Sequence, residues 1–530
     1  MTIQSFIHSE RHMGGGVIAI ALALSVAATI ISFQNDWIVA YGDSESHLNI
    51  AKRIMHSITP GFAQLGGIWL PIPHLLLLPF VSIEPLYRTG LAGSIVSGFS
   101  YIVSTLFLFK TIRFMTKSNI PAVFGALVFA SNPNILYMQT TPMTELPLIM
   151  FFTLATYYTI RYIYDTNSVY DVFLAAFFGF CATLSRYDGW FLVMFQALAI
   201  FLRLIARKMQ WTKLEGITIL FCTLAFSGIA AWLMWDFLIL GDPLYFTNSQ
   251  FSAKSQQNSW NARGELPGYH NIQQSVVYYT VTAWSNTGAI VFALSLMGVL
   301  TFLAYNRNKA ALLITGLFFV PWIFYVVTLY LGQSVIFIPE LTPVDFEWNL
   351  FNVRYGIMMV PFVGFFCGYF FHKLPSAVRP VLVLLCLFQV GLFLNKNVPV
   401  LTLADGIVGL SHAKRPDAEQ WIKANYDDGL VLLDDYARTV SVVRSDIPMQ
   451  NIIYIGNRPY WEESLIEPEK YAKWIIMQKD DTVWRNLIDN QDRQDRLYKY
   501  FEKAYTSEEI LIFEKKQQSV VLCLEISSCR

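Results

Sequence analysis

The sequence predicts an α-helical polytopic membrane protein of about eleven transmembrane helices, with a small C-terminal α/β domain outside the membrane. Three observations predict it. Of the 530 residues, 54% are hydrophobic and only 14% charged, against about 25% charged in a soluble globular chain. Apolar runs long enough for a span recur as far as Leu394. Beyond Leu394 the composition turns polar, and short apolar stretches alternate with helical ones.

The net charge is zero, which argues against nucleic acid as the main partner. The cysteines are scattered, four of them (Cys181, Cys222, Cys367 and Cys386) within apolar runs. With no CxxC pair and no Cys/His ligand spacing, neither a disulfide framework nor a zinc site is indicated. The first apolar run, Gly16–Phe33, has no small-residue cleavage signature and reads as a retained anchor.

In chain order, the further runs are Gly90–Phe109, Ile120–Tyr137, Met143–Ile163, Tyr170–Leu184, Trp190–Leu204 and Gly216–Leu240. Ser275–Ala304, Ala310–Leu331, Tyr355–Phe371 and Val381–Leu394 complete the set, and Leu75–Phe80 could add a half-helix. Basic residues orient them, because Lys and Arg concentrate on the cytoplasmic side. Lys110, Arg113 and Lys117 fall in one connection, and Arg203, Arg207, Lys208 and Lys213 in another. Arg307 with Lys309, and Lys373 with Arg379, mark two more. If the spans alternate, all four connections share one side. The N-terminus is then cytoplasmic, and the first loop, several tight turns and the C-terminal tail lie outside.

That first loop, within residues 34–89, opens as Tyr41-Gly-Asp-Ser-Glu-Ser-His47. A helix with apolar residues at Leu48, Ala51, Ile54, Met55 and Ile58 follows, and Lys52 and Arg53 are expected on its polar side. Trp69-Leu-Pro-Ile-Pro-His74 leads back towards the bilayer. After Leu394, Pro416–Asn425 reads as a helix and Val431–Leu433 as a buried strand. Trp474–Met477, Ile510–Phe513 and Ser519–Ile526 read as strands, the last two joined through Lys515–Gln518. The expected division is 1–398 for the membrane domain and 399–530 for the α/β domain. The latter has no glycine-rich phosphate loop or triad spacing, and reads as a lid or acceptor-docking domain.

The candidate functional residues gather at one external rim. Asp43 and Glu45 offer a carboxylate as general base, although Asp43 or Ser44 could simply cap the helix. Glu145, in a very tight external turn, is a second carboxylate or a partner for the helix dipole. Arg186, in Ser185-Arg-Tyr-Asp188, and Arg354 with Tyr355 stand at external helix ends, against the positive-inside trend. Either arginine could snorkel. Taken as two unpaired guanidiniums, they are suited to hold a phosphate. Trp69 and His74 are further candidate substrate contacts, although a histidine such as His74 is more often a packed rim residue than a ligand.

These residues resemble the GT-C membrane glycosyltransferases, in particular the protein O-mannosyltransferases, aminoarabinose transferases and RgtA/B/C/D-like enzymes. The resemblance covers about Ile18–Leu394 and is clearest from Tyr41 to Gly189. The family hallmark is one or two acidic residues in the first external loop before a juxtamembrane helix, as in Tyr41–His47, with Asp43 at the catalytic-base position. Trp69–Leu75 is similar to the proline-containing approach to the second span. Glu145 falls where a second acidic residue is common, and Arg186 and Arg354-Tyr355 match positions linked to lipid phosphate. Two features depart from the pattern. Leu70 stands where the aminoarabinose transferases carry a lysine, and Asp43-Ser-Glu45 replaces an adjacent Asp-Glu pair.

The resemblance implies an inverting transferase that moves a sugar from a polyprenyl-phosphate donor to a protein, lipid or glycan acceptor in the cell envelope. It implies no cofactor: the wider superfamily holds a divalent metal in acidic loops, but these branches need none. An oligosaccharyltransferase or polysaccharide polymerase is the enzyme alternative. A lipid or sugar transporter (flippase) is the other, but its charges would lie near the membrane midplane.

Overall fold

The computed structural model describes residues 3–396, 398–408, 415–435 and 440–517. The chain forms two compact units, one of Met1–Ala51 with Leu65–His412, the other of Lys52–Gln64 with Ala413–Arg530.

In the larger unit each apolar run is helical. Among the described residues, seven helices are long and apolar enough to cross a membrane, or eight if one bent pair counts as a span. Four shorter apolar helices accompany them, including Pro71–Val81, which covers the Leu75–Phe80 run.

Two runs that look continuous in the sequence are broken. Ser275–Ala304 becomes Ile272–Thr287 and Ala289–Tyr305, bent by 110°. The hinge is Gly288, at φ +91°, where a Cβ would stand 2.6 Å from the Gln389 side chain. Gln389 Oε1 accepts the Ile290 N–H at 3.0 Å, so one amide freed by the break keeps a partner. Ile120–Tyr137 becomes Asn119–Ala130 and Pro133–Met138. Pro133 opens the second piece without an N–H to satisfy, and the Asn132 side chain accepts the Ile135 N–H at 3.1 Å.

Asparagines join these breaks. The side-chain amides of Asn132 and Asn134 donate to the Asn286 carbonyl at 2.9 and 3.0 Å. Asn286 in turn donates to the Val353 carbonyl at 2.8 Å, and Asn134 Oδ1 accepts the Thr402 N–H at 3.0 Å. Buried backbone groups without partners are costly, so this hub fixes the 3₁₀ segment Val353–Met359 and the helix Leu401–Val408 to both breaks.

In the smaller unit, β1 (Val431–Leu433), β2 (Ile452–Ile453), β3 (Trp474–Gln478), β4 (Phe501–Thr506) and β5 (Ile510–Lys515) form one sheet in the order β2-β1-β3-β5-β4. β1 is parallel to β2 and β3, with Leu432 opposite Ile453 and Ile475. β5 is antiparallel to both β3 and β4. Leu432, Ile475 and Phe513 anchor its core with Trp461 and Leu487. The helix Pro416–Asn425 forms as expected.

Two features differ from the expectation. β5 pairs with β4 across a short turn and with β3 on its other edge. β4 escapes the sequence reading because it is an edge strand whose Glu502 and Lys503 face solvent. The strand expected at Ser519–Ile526 lies outside the described residues. Lys52 and Arg53 are also not on a solvated polar face: both are buried within the smaller unit, while Met55 is exposed. Arg53 pairs with Asp435 and lies over the Tyr454 ring at 3.6 Å, which compensates its charge.

Close helix contacts in the larger unit depend on glycine. A Cβ on Gly125 would lie 2.5 Å from the Gly364 carbonyl oxygen. Gly125→Leu is therefore expected to lower stability by about 1–3 kcal/mol or more through overpacking, read as an earlier thermal unfolding transition in detergent. An unchanged transition would show that these helices can separate freely.

Candidate active site

Asp43 lies in the first turn of the helix Gly42–Met55, where a negative charge is favoured by the helix dipole. Glu145 opens the helix Glu145–Tyr164. The turn before it is pinned: Ser94 and Ser97 donate to the Thr140 and Thr141 carbonyls at 2.5 and 2.7 Å. Gly93 leaves room for Pro142, which a Cβ would meet at 2.3 Å. Arg186 precedes the helix Asp188–Ala206. Arg354 lies on Val353–Met359, held from behind by Asn286 and by Gly356, whose Cβ would stand 2.5 Å from the Thr282 carbonyl.

These elements, distant in sequence, converge on two guanidiniums. Arg354 Nη2 donates to Asp43 Oδ2 at 2.9 Å, and its Nε to Glu145 Oε1 at 3.2 Å. Arg186 Nη1 donates to the same Glu145 oxygen at 3.0 Å and to Thr144 Oγ1 at 2.9 Å. Arg186 Nε is 3.6 Å from Asp188 Oδ1, and Arg354 Nη1 is 3.8 Å from Asp405 Oδ2. Glu145 thus bridges the two arginines from a fully buried position. The Asp43 side chain keeps 17% of its surface exposed, so it can reach a ligand.

Aromatic rings frame the charges. Each guanidinium lies 5.3 Å from the centroid of Tyr355, so one ring serves both cations. Tyr279, Tyr325 and Tyr355 stack in a row at 4.9 Å spacings. The Tyr325 hydroxyl donates to Asp188 Oδ2 at 2.8 Å and accepts from Arg186 Nη2 at 3.2 Å. On the other side Arg354 lies 5.0 Å over Tyr41, whose hydroxyl donates to the Thr402 carbonyl at 2.6 Å and to Asp405 at 3.2 Å.

Of the residues singled out in the sequence, Asp43, Glu145, Arg186, Arg354 and Tyr355 form this cluster. The arginines are neither unpaired nor snorkelling, because each is shared among carboxylates and their side chains are 17% and 6% exposed. Glu45 is half-buried and about 200° round the helix from Asp43. His74 and Trp69 instead meet His47, one helical turn beyond Asp43. The two imidazoles approach at 2.9 Å (His47 Nδ1 to His74 Nε2), and Trp69 packs edge-on at 4.9 Å. Asp188, noted in the sequence beside Arg186, joins the site, and Tyr279, Tyr325, Tyr41 and Asp405 are the members that sequence reasoning passed over. Tyr279 and Tyr325 were hidden within apolar runs. Asp405 carried a signal, an acidic residue flanked by Leu401-Thr-Leu-Ala and Gly406-Ile-Val.

Residues 87–235 match the profile of a family described as dolichyl-phosphate-mannose-protein mannosyltransferase. No curated protein sequence matches the chain. Among solved structures, the chain is similar to ArnT from Cupriavidus metallidurans bound to undecaprenyl phosphate. That match has 11% identity, a TM-score of 0.56, and covers 95% of this chain and 98% of that one. It is also similar to the oligosaccharyltransferase of Archaeoglobus fulgidus in the apo form, at 11% identity and TM-score 0.52, over 96% of this chain and 75% of that one. AglB from Archaeoglobus fulgidus, in complex with an inhibitory peptide and a dolichol-phosphate, aligns at 10% identity and TM-score 0.50, over 97% and 75%. The fold is that of the GT-C membrane glycosyltransferases, as the first-loop motif implied.

The bridging role of Glu145 has a measurable consequence. Removing one partner of a buried ion pair costs about 3–5 kcal/mol, because the remaining charges stay desolvated. Glu145→Ala is expected to lower the thermal transition accordingly, and Glu145→Gln, which still accepts a hydrogen bond, by less. Two variants both as stable as wild type would mean that this network contributes nothing to the fold.

Proposed function

We propose that the protein is an inverting glycosyltransferase that takes a sugar from a polyprenyl-phosphate donor and transfers it to an acceptor hydroxyl on the extracytoplasmic side of the membrane. The observation that carries this reading is the joining of Asp43 to Arg354, and of Arg354 through Glu145 to Arg186, on a GT-C fold. Solved structures with that fold hold undecaprenyl phosphate or a dolichol-phosphate, and the family matched over residues 87–235 is named for a dolichyl-phosphate sugar.

In this reading the guanidiniums bind the donor phosphate. Its oxygens replace Asp43 as a partner of Arg354, so the carboxylate is freed when the donor is in place. Asp43 then accepts the proton of the acceptor hydroxyl, whose oxygen attacks the anomeric carbon from the face opposite the phosphate. The C–O bond to phosphate breaks, and the negative charge that collects on the leaving group is stabilised by Arg186 and Arg354, already oriented before the reaction. Such a leaving group needs no protonation. His74 and Trp69 are proposed to line the substrate side of the same helix through His47, Glu45 to reach substrate from another face of it, and the C-terminal α/β domain to lie outside the cytoplasm with the acceptor.

The test is release of free polyprenyl phosphate from a mixed pool of polyprenyl-phosphate sugars in the presence of envelope acceptors. Asp43→Asn is expected to reduce release by about a hundredfold or more, as for a lost general base. Equal release by both proteins would remove Asp43 from the mechanism. The reaction is also proposed to run without a metal, so EDTA should leave turnover unchanged. If chelation stops turnover and a divalent ion restores it, the oligosaccharyltransferase reading takes its place.

A further inference from the structure

The charges around the two guanidiniums do not balance. Arg186 and Arg354 face four carboxylates, those of Asp43, Glu145, Asp188 and Asp405. A phosphate monoester brings about −1.5 to −2 more at neutral pH. A site meant to grip phosphate is therefore supplied with an excess of competing anions.

Asp405 has no place in the transfer chemistry outlined above. It lies on the helix Leu401–Val408, its side chain fully enclosed. Its neighbours come from several elements. Arg354 Nη1 stands 3.8 Å away on Val353–Met359, and the Tyr41 hydroxyl donates to it at 3.2 Å from just before the Asp43 helix. Asp43 and Tyr137 also act on it electrostatically, and the neutral Asn134 fastens its helix through Thr402.

We propose that Asp405 is a positioning residue that acts through Arg354: its enclosed carboxylate holds the guanidinium beside Asp43 and limits how tightly a lipid phosphate is gripped, so that polyprenyl phosphate leaves after transfer. The inference rests on the phosphate reading of the two arginines. Burial, the largest cause, pushes the Asp405 carboxyl up to about 6. Below that pH the group is neutral, Arg354 is less compensated, and phosphate binds more tightly. Above it the carboxylate competes for the guanidinium and the grip weakens.

The experiment uses the full chain in detergent and polyprenyl phosphate as the probe, with affinity measured from acid to neutral pH. Asp405→Asn should bind about tenfold more tightly than wild type near neutral pH, for the loss of one nearby charge, and equally at acid pH. In turnover it should lower donor KM and kcat together, as slow product release requires. Asp405→Glu should restore the wild-type pH dependence. Tyr41→Phe removes a hydrogen bond to the charged carboxylate, so it should move the midpoint to higher pH; it decides the matter if Asp405→Asn fails to fold. Wild-type and Asp405→Asn affinities equal at every pH, or a Tyr41→Phe midpoint that does not move, would overturn the inference and leave the proposed function standing. A wild type that binds no polyprenyl phosphate would overturn both.

Discussion

A guanidinium removed from water must be surrounded by compensating charge, and around Arg354 that requirement draws four separate stretches of chain together. Asp43, Glu145 and Asp405 approach it from three different segments, and its neighbour Tyr355 adds a ring from its own. A lone charge in such a place would be costly, whereas a shared one is tolerable only when each partner is correctly placed. The rest of the larger unit can be understood as scaffolding for that placement. The breaks at Asn132 and Gly288, the asparagine hub and the glycines at close contacts all fix the segments that deliver these side chains.

The same electrostatics connect stability with the proposed chemistry. In the absence of substrate, the carboxylates occupy the positions on the guanidiniums that a phosphate would take. Binding would then be an exchange of anions rather than an addition, and the exchange would release Asp43 when a base is needed. Glu145 differs from Asp43 in this respect. It is fully buried and bridges both arginines, so its role is to fix the spacing of the two cations beside the Tyr355 ring.

Much of the site could be read from the chain because a charged residue is conspicuous against an apolar background. Asp43, Glu145, Arg186 and Arg354 stand out at the ends of apolar runs for that reason. Tyr325 and Tyr279 do not, since a tyrosine within an apolar run scores as packing. Asp405 lies beyond the expected end of the membrane domain at residue 398, although its helix packs within the larger unit. The buried Lys52 and Arg53 were misjudged because helical periodicity records which side is charged, not whether a partner such as Asp435 waits there.

The sequence by itself determined the helical membrane class, the location of the apolar runs, the polar first loop and the presence of a small α/β unit after Leu394. These follow from composition and periodicity, which report local solvation. Only the tertiary structure decided that Ser275–Ala304 bends by 110°, that β4 pairs with β5, and that two arginines share one glutamate. Such features depend on contacts between residues hundreds of positions apart, and the balance of desolvation against pairing that selects them exists only once the partners have been brought together.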